Sequence, residues 1–90
     1  MIELETIRAG IETIRIRAHV TLTWKNAYQK LVSIATEKNN WKLLDEYRNW
    51  ALTYDLQASA YNECLKVLGE NPEETDEISE MVFNREITRL

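Results

Sequence analysis

The clearest period in the chain runs from Trp41 to Leu68. Leu44, Tyr47, Ala51, Tyr54, Ala58, Tyr61, Leu65 and Leu68 recur at steps of three and four. That spacing lays them along one stripe of an α-helix of about eight turns. Asn40 stands where a side-chain oxygen caps the helix start by accepting a free backbone N–H. Gly69 stands where the chain can turn left-handed at its end. Trp24, Ala27, Tyr28, Leu31, Ile34 and Ala35 keep the same helical spacing. Only Lys38-Asn39-Asn40 separates the two segments, and so short a loop makes antiparallel neighbours. The expected scaffold is a helical hairpin of residues 11–38 and 41–69.

The opening of the chain supports two periods. Glu5-Thr6-Ile7-Arg8 returns seven residues later as Glu12-Thr13-Ile14-Arg15, which is helical, while Ile14 to Trp24 alternates apolar and polar, as a strand does. On a helical wheel Leu4, Ile7, Ile11, Ile14, Ala18 and Leu22 share one face. Ile16, Val20, Trp24, Ala27 and Leu31 lie almost opposite. Overlap of these two stripes produces the alternation, and a helix with two apolar sides lies between two neighbours. The β-branched residues Thr13, Ile14, Ile16, Val20, Thr21 and Thr23 favour a strand. No second alternating segment exists to pair with one, and no Asn-Gly or Asp-Gly hairpin turn sits nearby. The expectation is a helix with a kink or break near Gly10 or near Thr21–Thr23, leaving a short N-terminal helical segment ahead of the hairpin.

Beyond Gly69 the chain reads Asn71-Pro72-Glu73-Glu74. A capping Asn, a Pro in the first turn and acids at the positive end of the helix dipole predict a last helix from about Pro72 to Thr88. Its apolar residues are Ile78, Met81, Val82, Phe83, Ile87 and Leu90. The expected architecture is all-α: an antiparallel hairpin with flanking N-terminal and acidic C-terminal helices, a small three- to four-helix bundle in one domain of residues 1–90.

Composition sharpens this picture. Ninety residues bury only about 60–65% of their unfolded surface, so association is a common route to extra stability. Cys64 and His19 are the only residues of their kinds, which leaves no intrachain disulfide and no structural zinc. Met1 precedes Ile-Glu-Leu-Glu, with no basic stretch or long apolar run, so neither a signal peptide nor a transmembrane helix is expected. A lone cysteine fits a reducing compartment, and the expectation is a cytoplasmic protein. The net charge of −4 is uneven: residues 8–48 hold eight Lys/Arg against four Asp/Glu, residues 49–90 three against nine. An acidic half suits a basic partner, or head-to-tail contact between copies.

Signals for chemistry are few. No glycine-rich phosphate loop, Gly-x-Ser-x-Gly elbow or His-Glu-x-x-His pattern occurs. His19 has Arg15 and Arg17 beside it and no acid within one helical turn, and Cys64 reads as a small buried thiol. The run Glu70, Glu73, Glu74, Asp76, Glu77, Glu80 lacks the Glu-x-x-His pairs of di-metal bundles. No catalytic residue, metal or cofactor is expected.

The Tyr/Ala stripe is more informative. Ala51 and Ala58 let a facing helix approach while Tyr47, Tyr54 and Tyr61 reach around it. That stripe serves either the hairpin core or a seam for another chain. Leu52 and Leu56 lie on the opposite side of the same helix, where the last helix could cover them, and Trp50 and Trp41 lie off the stripe.

The leading expectation is a non-enzymatic interaction protein that self-associates and binds or blocks a larger macromolecule. Small inhibitors, immunity proteins, antitoxins and phage anti-defence proteins share this size, an analogy of class only. Its contacts would be Trp41, Tyr47, Trp50, Leu52, Tyr54, Leu56 and Tyr61, with Glu73, Glu74 and Glu77 for a basic surface. The alternative is a binder of nucleic acid or a small phosphorylated ligand through Arg15, Arg17, His19 and Lys25. The singly spaced bases and the overall acidity disfavour nucleic acid.

Overall fold

The computed structural model describes residues 2–90 and is all-helical, with no strand among them. Three helices follow in order: α1 (Ile2–Glu37), α2 (Trp41–Val67) and α3 (Glu80–Ile87). Among the described residues no helix is long and apolar enough to cross a membrane.

The expected break in the N-terminal segment does not occur. α1 runs without interruption for 36 residues, through Gly10 and Thr21–Thr23. Its threonines, the strongest argument for a strand, direct their hydroxyls back into the helix. Thr13 Oγ1 donates to the Ala9 carbonyl at 2.9 Å, Thr21 to Arg17 at 2.8 Å and Thr23 to Val20 at 2.7 Å. Each hydroxyl thereby finds an acceptor without unwinding the helix. Packing against α2 on one side and against the strap and α3 on another then outweighs β propensity, although Ile16 stays 55% exposed.

The turn forms as the sequence indicates. Asn40 Oδ1 accepts the Leu43 N–H, Asn39 adopts a φ of 56°, and Gly69 ends α2 at a φ of 78°. α1 and α2 run past each other in opposite directions. Trp24 meets Tyr54 at 5.1 Å between ring centroids, Tyr28 meets Tyr47 at 5.8 Å, and Arg15 reaches Glu70 at 3.1 Å at the far end. Between them lies a narrow core. Ala18, Ala27, Tyr28, Leu31 and Ala35 come from α1, and Leu43, Leu44, Tyr47, Ala58 and Leu65 from α2. Alanines at the contact let the backbones approach, and the tyrosines fill the space beside them.

The C-terminal helix is shorter than expected. Residues 70–79 are a non-helical strap, and α3 starts at Glu80 with Ser79 as its cap. The cause is competition for the strap's backbone groups. Asn62 Oδ1 takes the Glu73 N–H at 2.8 Å, and Asn62 Nδ2 donates to the Glu73 carbonyl at 3.1 Å. Asn26 Nδ2 donates to the carbonyls of Thr75 and Glu77, both at 2.9 Å, and the Ser79 N–H reaches the Thr23 carbonyl at 3.0 Å. Two asparagines, one on each long helix, satisfy groups that a helix would otherwise pair within itself. Asn26→Ala should leave two strap carbonyls to water and cost about 1–2 kcal/mol. Amide exchange in residues 70–79 should then accelerate while the α1–α2 core stays protected.

α3 brings Val82 into the core. The Tyr47 hydroxyl donates to the Glu86 carbonyl at 3.1 Å, and burial pushes that phenol up to about 12. Arg89 grips the Glu46 carboxylate with two nitrogens, both at 2.9 Å, and also donates to Glu86 at 2.9 Å. This fork fixes the chain end against α2, and its hydrogen bonds hold the Glu46 carboxyl below its ordinary range.

Candidate interaction surfaces

The aromatic residues form one connected cluster across α1 and α2. Trp50 lies nearly parallel to Tyr54 at 5.8 Å and to Tyr28 at 6.3 Å, and Tyr54 in turn meets Trp24. Tyr28 and Tyr47 are buried at its base, while Trp50 stays 43% exposed. Trp50 is therefore a large surface ring held by the rings beneath it. Its orientation is set before anything binds.

Half a turn from the buried stripe, the outer side of α2 carries Leu52, 58% exposed, and Leu56, 61% exposed. α3 does not cover them. Trp41, also exposed, opens the helix on the same outward side. Farther along α2, Ala60, Glu63, Cys64, Val67 and Leu68 join Ile14 of α1 around an apolar groove of about 540 Å³. Cys64 is exposed there, contrary to the buried thiol expected from its position beside the stripe. It sits at the end of α2, where no neighbouring element covers that flank.

The remaining sequence candidates divide by burial. Tyr47 is fully buried and holds α3, which removes it from the contact surface and makes it a core residue. Tyr54 and Tyr61 are half-buried along the α1-facing stripe. Glu73, Glu74 and Glu77 lie on the strap rather than on a helix, with Glu74 and Glu77 exposed.

Compared with protein-family models, with curated proteins and with solved structures, the chain matches none of them.

Of the four basic candidates Arg15, Arg17, His19 and Lys25, three face acids of the same chain. Arg15 meets Glu70 at 3.1 Å and Glu12 at 3.8 Å, and Lys25 meets Asp55 at 3.5 Å. His19 lies between two strap carboxylates, with Nδ1 3.5 Å from Glu73 and Nε2 3.6 Å from Glu77. An anionic ligand at this site would have to displace those carboxylates. Arg17 alone of the four is exposed and makes no ion pair among the described residues. The His19–Glu73–Glu77 arrangement was not legible locally, because the acids arrive from more than fifty positions away. The groove that holds Cys64 does not include His19. Among the described residues no three His, Cys, Asp or Glu side chains converge as metal ligands.

Proposed function

We propose that this chain is a non-enzymatic protein-interaction module that binds, and by binding blocks, a larger protein partner. The observation that carries this reading is the outer side of α2, where Leu52 and Leu56 stand exposed with Trp41 on the same side and neither the strap nor α3 over them. Burying a leucine is worth about 1.5–3 kcal/mol, which the isolated chain forgoes twice within one helical turn. A partner that covers them gains that burial. The acidic strap, with Glu74 and Glu77 exposed, favours a partner that brings basic side chains to the rim. Small inhibitors, immunity proteins and antitoxins work in this way, by surface complementarity without chemistry.

A photo-crosslinking residue at position 56 tests the reading. It should give one discrete adduct with a heterologous protein, and Leu52→Glu should diminish it. Adducts no different from those of a control at Ser33, an exposed position on α1, would overturn it.

A further inference from the structure

α1 outruns its partner helix. The two helices meet at the turn, but α1 has 36 residues and α2 has 27, a difference of nine. Nine residues extend about 14 Å. Residues 3–10 are accordingly all exposed, and the molecule is 57 Å long against 21 Å and 17 Å in width. This overhang is not polar. Leu4 and Ile7, each 54% exposed, continue the line of the half-buried Ile11 and Ile14. Their steps of three, four and three are a coiled-coil seam, and among the described residues its outer half, Leu4 and Ile7, has nothing lying on it.

Two further observations say what covers the seam. The first is its charge pattern: Glu3 and Glu5 flank the outer end, and Arg15 and Arg17 the inner end. A parallel copy in register would set Glu3 against the partner's Arg8 and leave Arg17 without an acid. An antiparallel copy sets Glu3 beside the partner's Arg17, and Arg17 makes no ion pair within its own chain among the described residues. The same register pairs Leu4 with the partner's Ile14 and Ile7 with the partner's Ile11, so the seam is complementary to itself about a two-fold axis. The axis also brings Arg8 near the partner's Arg8, a like-charge contact that Glu5 and Glu12 of its own chain, one turn away on either side, offset. The second observation is Gly10. Glycine weakens a helix interior, and apart from the adjoining backbone of α1 no described atom comes within 4 Å of where its Cβ would stand. A single chain gives it no purpose. In the antiparallel register Gly10 lies beside the partner's Gly10, where the missing side chains let the two helices close.

We propose that the overhang of α1 is a homodimer interface, with a second copy of the chain lying antiparallel across Leu4, Ile7, Ile11 and Ile14. The partner's overhang runs in the direction of α2 and takes up its line where α2 ends. The partner's Leu4 then enters the groove bounded by Ile14, Cys64, Val67 and Leu68. This deepens the interaction reading by naming one partner and giving it a surface separate from Leu52 and Leu56.

The test is the mass of the full chain by light scattering at two widely separated concentrations, with reductant present so that Cys64 cannot bridge copies. The mass should rise with concentration toward twice the 10.6 kDa of one chain. Ile7→Glu and Ile7→Ser should both stay at the single-chain mass with unchanged helical circular dichroism. Leu56→Glu should dimerise as the native chain does. A single-chain mass at the higher concentration would overturn the proposal and leave the Leu52–Leu56 reading standing. Dimerisation lost in Leu56→Glu but kept in both Ile7 variants would also overturn it, by moving self-association to the outer side of α2.

Discussion

Tyr47→Ala should cost about 3–5 kcal/mol, the range for removing a fully buried aromatic side chain. The ring is wholly enclosed between α1, α2 and α3, and its hydroxyl ties the Glu86 carbonyl to α2. Removal leaves a cavity in a thin core and frees α3 at once. Urea unfolding should show the loss, and amides of residues 80–90 should exchange faster even where the helix pair stays folded. Tyr47→Phe separates the two contributions. Keeping the ring and losing one hydrogen bond should cost only about 1 kcal/mol at neutral pH. The alkaline limb distinguishes the variants again. The buried phenol sits at about 12, against 10 for a free tyrosine. As pH rises the unfolded chain therefore loses this proton first. Its stabilising contribution is complete below pH 10 and is lost between 10 and 12. Tyr47→Phe should flatten that decline, leaving the smaller part from Tyr28, whose phenol is also raised by burial.

Leu31→Ala should cost about 2–5 kcal/mol, again through a cavity. Leu31 is fully buried in the cluster formed by Ala27, Tyr28, Leu43, Leu44, Tyr47 and Val82. A domain of this kind has about 5–15 kcal/mol in hand, so either core variant consumes a large fraction of it. Leu56→Glu is the contrast. It removes a leucine of similar bulk from an exposed position, and its stability should stay within about 0.5 kcal/mol of native. A large loss there, measured by the same urea titration, would mean that Leu56 is packed within the chain. A small one leaves its exposure without an intramolecular purpose.

The helix pair was legible because its period is strict: Leu44 to Leu68 keeps one stripe, and Asn40 and Gly69 mark its ends. The helical state of residues 14–24 was legible only as an overlap of two stripes. Its continuity across Thr21–Thr23 was not, because those hydroxyls find acceptors within the helix itself, which the spacing does not signal. The strap was misread for a different reason. Asn71, Pro72 and Glu73 carry every local sign of a helix start, but Asn26 and Asn62 claim the backbone from other elements. Two asparagines on the polar flanks of long helices give no periodic signal of such a role. Cys64 and Tyr47 lie on or beside the same stripe, yet one is exposed and the other enclosed. What separates them is where α3 docks, which the spacing within α2 does not encode. The leucines at 52 and 56 were legible as an outlying pair, and only the path of the strap and α3 decides that they stay uncovered.

The most direct test of the central claim is a mass measurement on protein taken from the cells that make it. The chain and its Leu52→Glu/Leu56→Glu variant should be purified in parallel under reducing conditions and measured by light scattering. The native chain should carry a second, different polypeptide, and its mass should exceed that of two copies of the 10.6 kDa chain. The variant should emerge without that polypeptide. A native chain that carries no other protein, or a variant that retains the same partner in the same amount, would contradict the account.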